Sequence, residues 1–490
     1  QERDRQKKGV ACVKNVPVRK MRVQVGFKGL ANSLDESVLD PEYAKSCVNF
    51  SFDKGVLTGK IGIENASGFY DFPSVDRHDF PAFESGKRIK QAFLYRRITA
   101  DGKSGDRIVA RLSDGTFYYT DVHGEDTWHK IESLVMAGDV DAVNYNYKSN
   151  DVLLLSSAFD GLYLIKDNMA LVCDKAPKFT SVAVHNERVF GTVSGVNNQV
   201  WFSDDFDPAN WNVSLTEAGY INFADDLGQA IKAVSFQGYL FVFREYGIMR
   251  LTAYGDQSDF VLKKMFTDTG RIYKDTIVLC GDSIIFLAED GLYAFNGYET
   301  TRIGKELPQI FGKNKACGGY LDGNYFLSCS LKDESGNLVG ALVRYDLKTR
   351  AISLLTGVQI TGMCPVKVHN GSCLVFTLDG GFANRLGQAA ENGKVFSTAT
   401  KKVYKSPENI LSAPSIKTVR SVSFVSKYPL TLRLVADGKK SEYKVQGKDE
   451  MQTVACEKSG SVISFEIETN EQNAYVSPLI VTFDVTRGQV

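Results

Sequence analysis

One hairpin pattern is written repeatedly along this chain at a nearly regular interval, and few folds can use it that way. Residues 158–167 read AFDGLYLIKD and residues 288–297 read AEDGLYAFNG. In each, an apolar run is followed by an Asp-Gly turn and a second apolar run. Five further pairs share the plan: DRIVARL with DGTFYYT, RVFGTVS with NQVWFSD, YLFVFRE with YGIMRLT, NYFLSCS with GALVRYD, and SCLVFTL with GGFANRL. Short β-branched and aromatic runs bounded by Gly and Asx residues read as strands. Gly at the turn gives positive φ at no steric cost, as a tight hairpin between right-twisted strands requires.

Aligned on the turn, Gly115, Gly161, Gln199, Gly247, Gly291, Gly340 and Gly381 lie 38 to 49 residues apart. That interval is the length of one four-stranded propeller blade. A further strand precedes each pair, as in IKQAFLY and DTIVLCG, and a weaker one often follows, as in TWHKI and TTRIGK. The expected fold is all-β: a six- or seven-bladed β-propeller over 87–390, followed by a small C-terminal β-sandwich over 395–490. Gly115, Gly161, Gly247, Gly291 and Gly381 are expected to join adjacent strands of separate blades. The unit at 359–387 lacks a clear fourth strand, and MRVQVGF (21–27) or GVLTGKIGI (55–63) is a candidate to supply it. Residues 21–86 are therefore read as N-terminal strands and a docking loop that can close the propeller, and 1–20 as a flexible arm. An array of β-sandwiches is the competing architecture.

Composition narrows the function classes. Of the 490 residues, 43% are hydrophobic and 11% aromatic, which suits a packed chain and argues against disorder. Lys+Arg and Asp+Glu both number 58, so no overall field draws the chain to nucleic acid. No apolar run approaches the roughly 18 residues of a membrane helix, so no membrane partner is expected. No leader pattern is visible, and the sequence starts at Gln1 rather than Met. The Cys are scattered without a C-x-x-C pair, and Cys280 and Cys329 sit within apolar strands, so reduced core thiols are expected. His at 78, 123, 129, 185 and 369 are too dispersed to suggest zinc.

Two stretches invite a chemical reading. YTDVHGEDTWHKI (119–131) approaches the Asp-box of sialidase propellers, but one residue too many separates Asp121 from Gly124. Trp128 is expected to pack between blades and His129 to lie on the surface. In WFSDDFDPANW (201–211), Asp204, Asp205 and Asp207 could take Ca²⁺. The expectation is instead a turn with Asx caps, Pro208 at its corner and Trp211 as its anchor. No carboxylate pair, Ser–His–Asp set or nucleotide loop stands out, so neither an enzyme nor a cofactor is expected.

Several stretches together resemble a family. VNFSFDKGVLTGKIGI (48–63) is similar to the N-terminal N-x-x-x-x-x-G-x-L-x-x-x-x-G segment of bacteriophage tail propellers, and VWFSDDFDPANW to their D-P-x-x-W loop. LFVFREYGIMRLTAYG and TGRIYKDTIVLCGDSIIFLAEDGLYAFNGYETTRIG (269–304), with Gly270 matching, resemble the central signature of the packaged-DNA stabilisation and tail hub or nozzle proteins of short-tailed phages. The resemblance implies a structural virion protein, made in the host cytoplasm and forming a ring, a hexamer in that family. Its implied partners are the portal or head–tail adaptor, other tail proteins and, without base reading, packaged DNA. No catalytic residue carries over. The Phe-rich stretch at 64–86, with Phe69, Phe72, Phe80 and Phe83, is the candidate subunit-contact loop; self-packing on its own propeller is the plainer alternative. A host-recognition or glycan-binding propeller is the rival function. A glycoside hydrolase, needing two carboxylates about 5–10 Å apart, is a third.

Overall fold

The computed structural model describes residues 18–31, 40–66, 87–122, 128–193, 195, 198–255, 257–265, 269–368, 371–409, 411 and 415–486. Among these residues strands are the dominant regular element, and the helical elements are short 3-10 turns. The repeating element is an antiparallel meander. In one copy, Val278–Cys280, Ser283–Ala288, Gly291–Phe295 and Thr300–Ile303 pair in chain order. Four-stranded meanders of the same order occupy 181–222, 230–265 and 317–356. Those at 89–135 and 141–172 are joined into one sheet by a single parallel bridge, Glu132 to Met169.

The meander at 360–390 has only three strands of its own. Its fourth is Gly62–Asn65, antiparallel to Leu386–Ala390. The closing strand therefore lies at the end of the 55–63 candidate, while the 21–27 candidate pairs elsewhere. Successive meanders bury their apolar faces against one another. Phe241 and Phe243 meet Phe286 and Phe295 in one cluster between neighbours. The last meander returns to the first, where Ile89, Ile108 and Ala110 pack with Val366 and Val375. A circuit of radial meanders closed on itself is a β-propeller, which leaves only short strand edges open. Gly161 and Gly291 lie in separate sheets of this circuit.

Apart from Gly340, the hairpin glycines lie in the connection between second and third strands or open the third strand, with differences of detail. Gly115 and Gly161 hold φ of 83° and 110°. Gly247 follows the two-residue loop Glu245–Tyr246 without positive φ, contrary to the turn chemistry expected; a Cβ there would meet Leu227 at 3.0 Å. Gly381 does not begin a strand. It sits inside a 3-10 turn, Gly380–Phe382, and Gly380 carries the positive φ of 70°. Gly340 lies within a strand, opposite Ser330, because the actual turn is at 333–337, where Asp333 accepts the amides of Ser335 and Asn337.

The repeated Asp-Gly-Leu-Tyr has a structural role in its Asp. Asp160 accepts the amides of Ala137 and Gly138 at 3.1 and 2.9 Å, and Asp290 accepts that of Gly270 at 3.1 Å. Each ties the second hairpin to the segment entering its own meander. Gly291, at φ 158°, keeps a backbone that L side chains rarely adopt, and a Cβ would also lie 2.8 Å from Arg302 Nε. Arg302 donates to the Asp290 carbonyl. Gly291→Val is therefore expected to push the exposed end of Arg302 aside and cost about 1–3 kcal/mol, chiefly as backbone strain, read as a lowered melting midpoint.

Beyond the circuit stand two further sheets, both built from the two ends of the described chain. Val18–Val25 pairs along its length with Leu479–Thr486. Lys417–Ser426 lies on the other side of that C-terminal strand, and Val56–Thr58 joins the same sheet through Tyr475–Val476. In the second sheet, Ser46–Val48 and Ile463–Thr469 flank Lys402–Lys405, with Leu430–Ala436 and Lys439–Val445 beyond. One apolar cluster runs from Phe424, Leu432, Phe465 and Phe483 of these sheets to Leu287, Tyr325 and Leu327 of the circuit. Burial of this kind contributes roughly 25 cal/mol per Å² of apolar surface, and it fixes the two parts as one body.

The two chain links between these parts, 59–61 and 391–401, cross side by side. Lys402 is fully buried there, and its Nζ donates to the carbonyls of Gly393 and Thr400 at 3.2 and 3.1 Å. Burial pushes its pKa down to about 8, against the opposing charge of Glu471. Gly393, with φ 64°, approaches so closely that a Cβ would collide with the carbonyl oxygens of Gly59 and Gln472.

Candidate functional site

A cleft of about 1210 Å³ separates the 317–356 meander from the second end-built sheet. Leu331, Lys332 and Val339 form part of one wall; Lys405, Arg433, Glu466 and Glu468 form part of the other. The charged residues on the second wall follow from strand alternation. Ile463, Phe465 and Ile467 point into the core, so Ser464, Glu466 and Glu468 face outward. Their carboxylates are committed to cations. Glu468 pairs with Arg433 and Lys401, each at 2.8 Å, and Glu466 with Lys440 at 2.7 Å. Hydrogen bonds from Lys401 and Arg433 hold Glu468 below the ordinary carboxylate range, so it stays ionised near neutrality. Lys405 reaches across to Glu334 of the facing meander. Such a groove can bind by exchanging ion pairs, and Glu468 is not poised as a proton donor.

Sequence reasoning did not find this groove. Its residues come from segments near 45, 334, 405, 433 and 466, brought together only by the sheet order. The alternating charges of KKSEYKV and SFEIET were the local signal, marking one solvated strand face.

The stretches singled out in the sequence lie elsewhere. Asp121 pairs with Arg107 at 2.8 Å. Trp128 packs at the seam between the first and last meanders, and exposed His129 stacks beside Tyr119 at 5.2 Å. In the acid-rich loop, Asp204 accepts the Glu217 amide and the Asn210 side chain, and Asp207 caps the Ala209 amide. Asp205 pairs with nearly buried Arg188 at 2.7 Å. Trp211 is buried against Phe179 and donates to the Pro208 carbonyl. The loop is thus held by its own Asx caps and the Trp anchor. The eight described cysteines are buried and unpaired, and burial pushes thiols such as Cys173 and Cys280 up to about 12. Phe69, Phe72, Phe80 and Phe83, and residues 1–17 of the arm, lie outside the described residues.

Comparison with known proteins names no family. No family model matches the chain, and no curated protein does. Among solved structures, similarity is found to Raptor from Chaetomium thermophilum, at 11% identity and a TM-score of 0.45, covering 70% of this chain and 30% of Raptor. The chain thus spans less than a third of that protein's length. It is also similar to the N-terminal part of BBS1 in complex with ARL6, at 9% identity and a TM-score of 0.39, covering 59% of this chain and 87% of that one. The N-terminal domain of Nup159 matches at 9% identity and a TM-score of 0.35, covering 67% and 95%. The fold assignment rests on the strand pairings above.

Proposed function

We propose that this chain is a structural virion protein, a ring-forming subunit of a bacteriophage tail adaptor, hub or nozzle that helps hold or pass packaged DNA. In this reading the seven meanders are seven blades, the last closed by Gly62–Asn65, and the end-built sheets form a β-sandwich. The observation that carries the reading is the interlock of the two ends. One early segment closes the propeller while its neighbours complete the second body, and one apolar cluster spans both. A unit so braced transmits force without hinging, which suits a tail subunit. The sequence resemblance over 48–63, 200–211 and 269–304 supplies the phage context. Partners would be further copies of the chain, the portal-side adaptor and other tail proteins. Head-to-tail contacts that close by rotation generate such a ring.

The test is microscopy and sedimentation of the purified protein. A closed ring, six-fold by the resemblance, is expected. The Phe69, Phe72, Phe80 and Phe83 stretch is the proposed contact. Because Glu64 and Asn65 belong to the closing strand and Ala66 is buried, deleting 64–86 would open the propeller itself. Changing the four Phe to Ser is the cleaner variant: it should leave the melting midpoint in place and abolish rings. Rings that persist in that variant would remove the loop from the interface, and a wild-type protein that stays monomeric at high concentration would sink the ring assignment.

A further inference from the structure

Three successive meanders present an exposed aromatic side chain from the same connection, the one between third and fourth strands. Phe206, Tyr254 and Tyr298 are 71%, 78% and 66% exposed. In an antiparallel meander this connection lies at the same end as the one between first and second strands. The loops are also contiguous from one meander to the next. Phe206 N–H donates to the Glu187 carbonyl, Asn186 reaches the Ala253 carbonyl at 2.8 Å, and Gly297 packs on Gln237. The three aromatics therefore form an arc along one edge of one face.

Isolated exposed aromatics are ordinary. Phe206 is not. Its backbone is left-handed, at φ 54°, a conformation that bulky residues avoid and Gly or Asn adopt easily. The loop around it is rigid, tied by Asp204, Asp207 and buried Trp211. Phe206 thus costs backbone strain and gains little burial, so the fold alone does not account for a phenyl ring there. Strain of this kind gathers at sites of function.

Charge identifies the occupant. The chain as a whole is neutral, yet the first-to-second and third-to-fourth connections of these three meanders contain no Lys, Arg or His. Their charged residues are all acids. Arg188 of the adjoining strand pairs with Asp205 and Glu217, which leaves Glu187, Asp259, Asp282 and Glu299 to set the charge of the arc. We infer that this acidic, aromatic arc is a docking surface for an arginine-rich segment of a partner protein. Guanidinium groups stack on aromatic faces and pair with carboxylates in the same pose. The same field repels phosphate, so DNA does not use this face.

The test uses the full-length protein and a fluorescein-labelled peptide of four Arg-Gly repeats, followed by anisotropy at physiological salt. Saturable binding is expected. Combining Phe206→Gly, Tyr254→Ser and Tyr298→Ser should weaken it tenfold or more although no charge changes. Phe206→Gly alone should leave the melting midpoint unchanged or raise it, since the left-handed strain is relieved. Equal affinity in the triple variant would mean only unspecific attraction to acids and would overturn the proposal. So would a lowered midpoint for Phe206→Gly, which would make Phe206 a fold residue, or a neutral oligosaccharide binding this arc in place of the peptide.

Discussion

Gly393→Val is expected to lower the stability of the whole body by about 4 kcal/mol or more, at the extreme of single substitutions. Two effects act together. The backbone is left-handed at φ 64°, and a Cβ would strike two carbonyl oxygens, those of Gly59 and Gln472. Neither oxygen belongs to a flexible side chain, so relief requires the two chain links to separate. Lys402, which donates to the Gly393 carbonyl, would lose a partner as well. Urea unfolding of the purified variant measures this. Gly438→Ala is the control: φ is also left-handed, at 77°, but nothing lies within 4 Å of the added carbon, so only about 1 kcal/mol is expected. Similar midpoints for the two variants would show that the crossing tolerates separation.

Arg244→Ala is expected to cost about 3–5 kcal/mol, the scale of breaking a buried ion pair from one side. Arg244 is wholly inaccessible. Its guanidinium pairs with Asp225 at 3.0 Å, donates twice to the Gly228 carbonyl and lies 4.5 Å from the Phe223 ring centre. Truncation leaves Asp225 without its cation and Gly228 without its donors, in a space the size of the lost side chain. Arg244→Lys should recover part of the loss, because an ammonium supplies charge but not the planar fork. If Arg244→Ala melts with the wild type, the pair contributes nothing net and water has replaced it.

The regular hairpins were legible because period-2 apolar alternation and Asx-Gly turns are local signals. The Asp of Asp-Gly-Leu-Tyr was visible too, although its bond to the meander entry was not. Gly340 misled the turn assignment because its strand begins beyond the true turn, whose marker was Asp333 in KDESGN. The closing strand Gly62–Asn65 was harder to place. It is four residues long with one large apolar side chain, Ile63, and its partner lies more than three hundred residues away. No periodicity encodes such a pairing. Lys402 reads on paper as a surface residue among KKVYK, and only the crossing of two links explains its burial. The groove around Glu466 and Arg433 escaped for the same reason: each wall is an ordinary strand face until sheet order sets them opposite one another.

The pairing of Val18–Val25 with Leu479–Thr486 sets an order in time. A ribosome makes the first of these strands long before the second. At about 5–20 residues per second, the wait is roughly 20–90 s. Gly62–Asn65 also emerges ahead of Leu386–Ala390, the strand it must pair with. Through most of synthesis both early strands carry unsatisfied edges, the feature most prone to wrong association. Completion of the body therefore waits until Leu479–Thr486 has been made, and a chain cut short before Leu479 leaves Val18–Val25 without that partner.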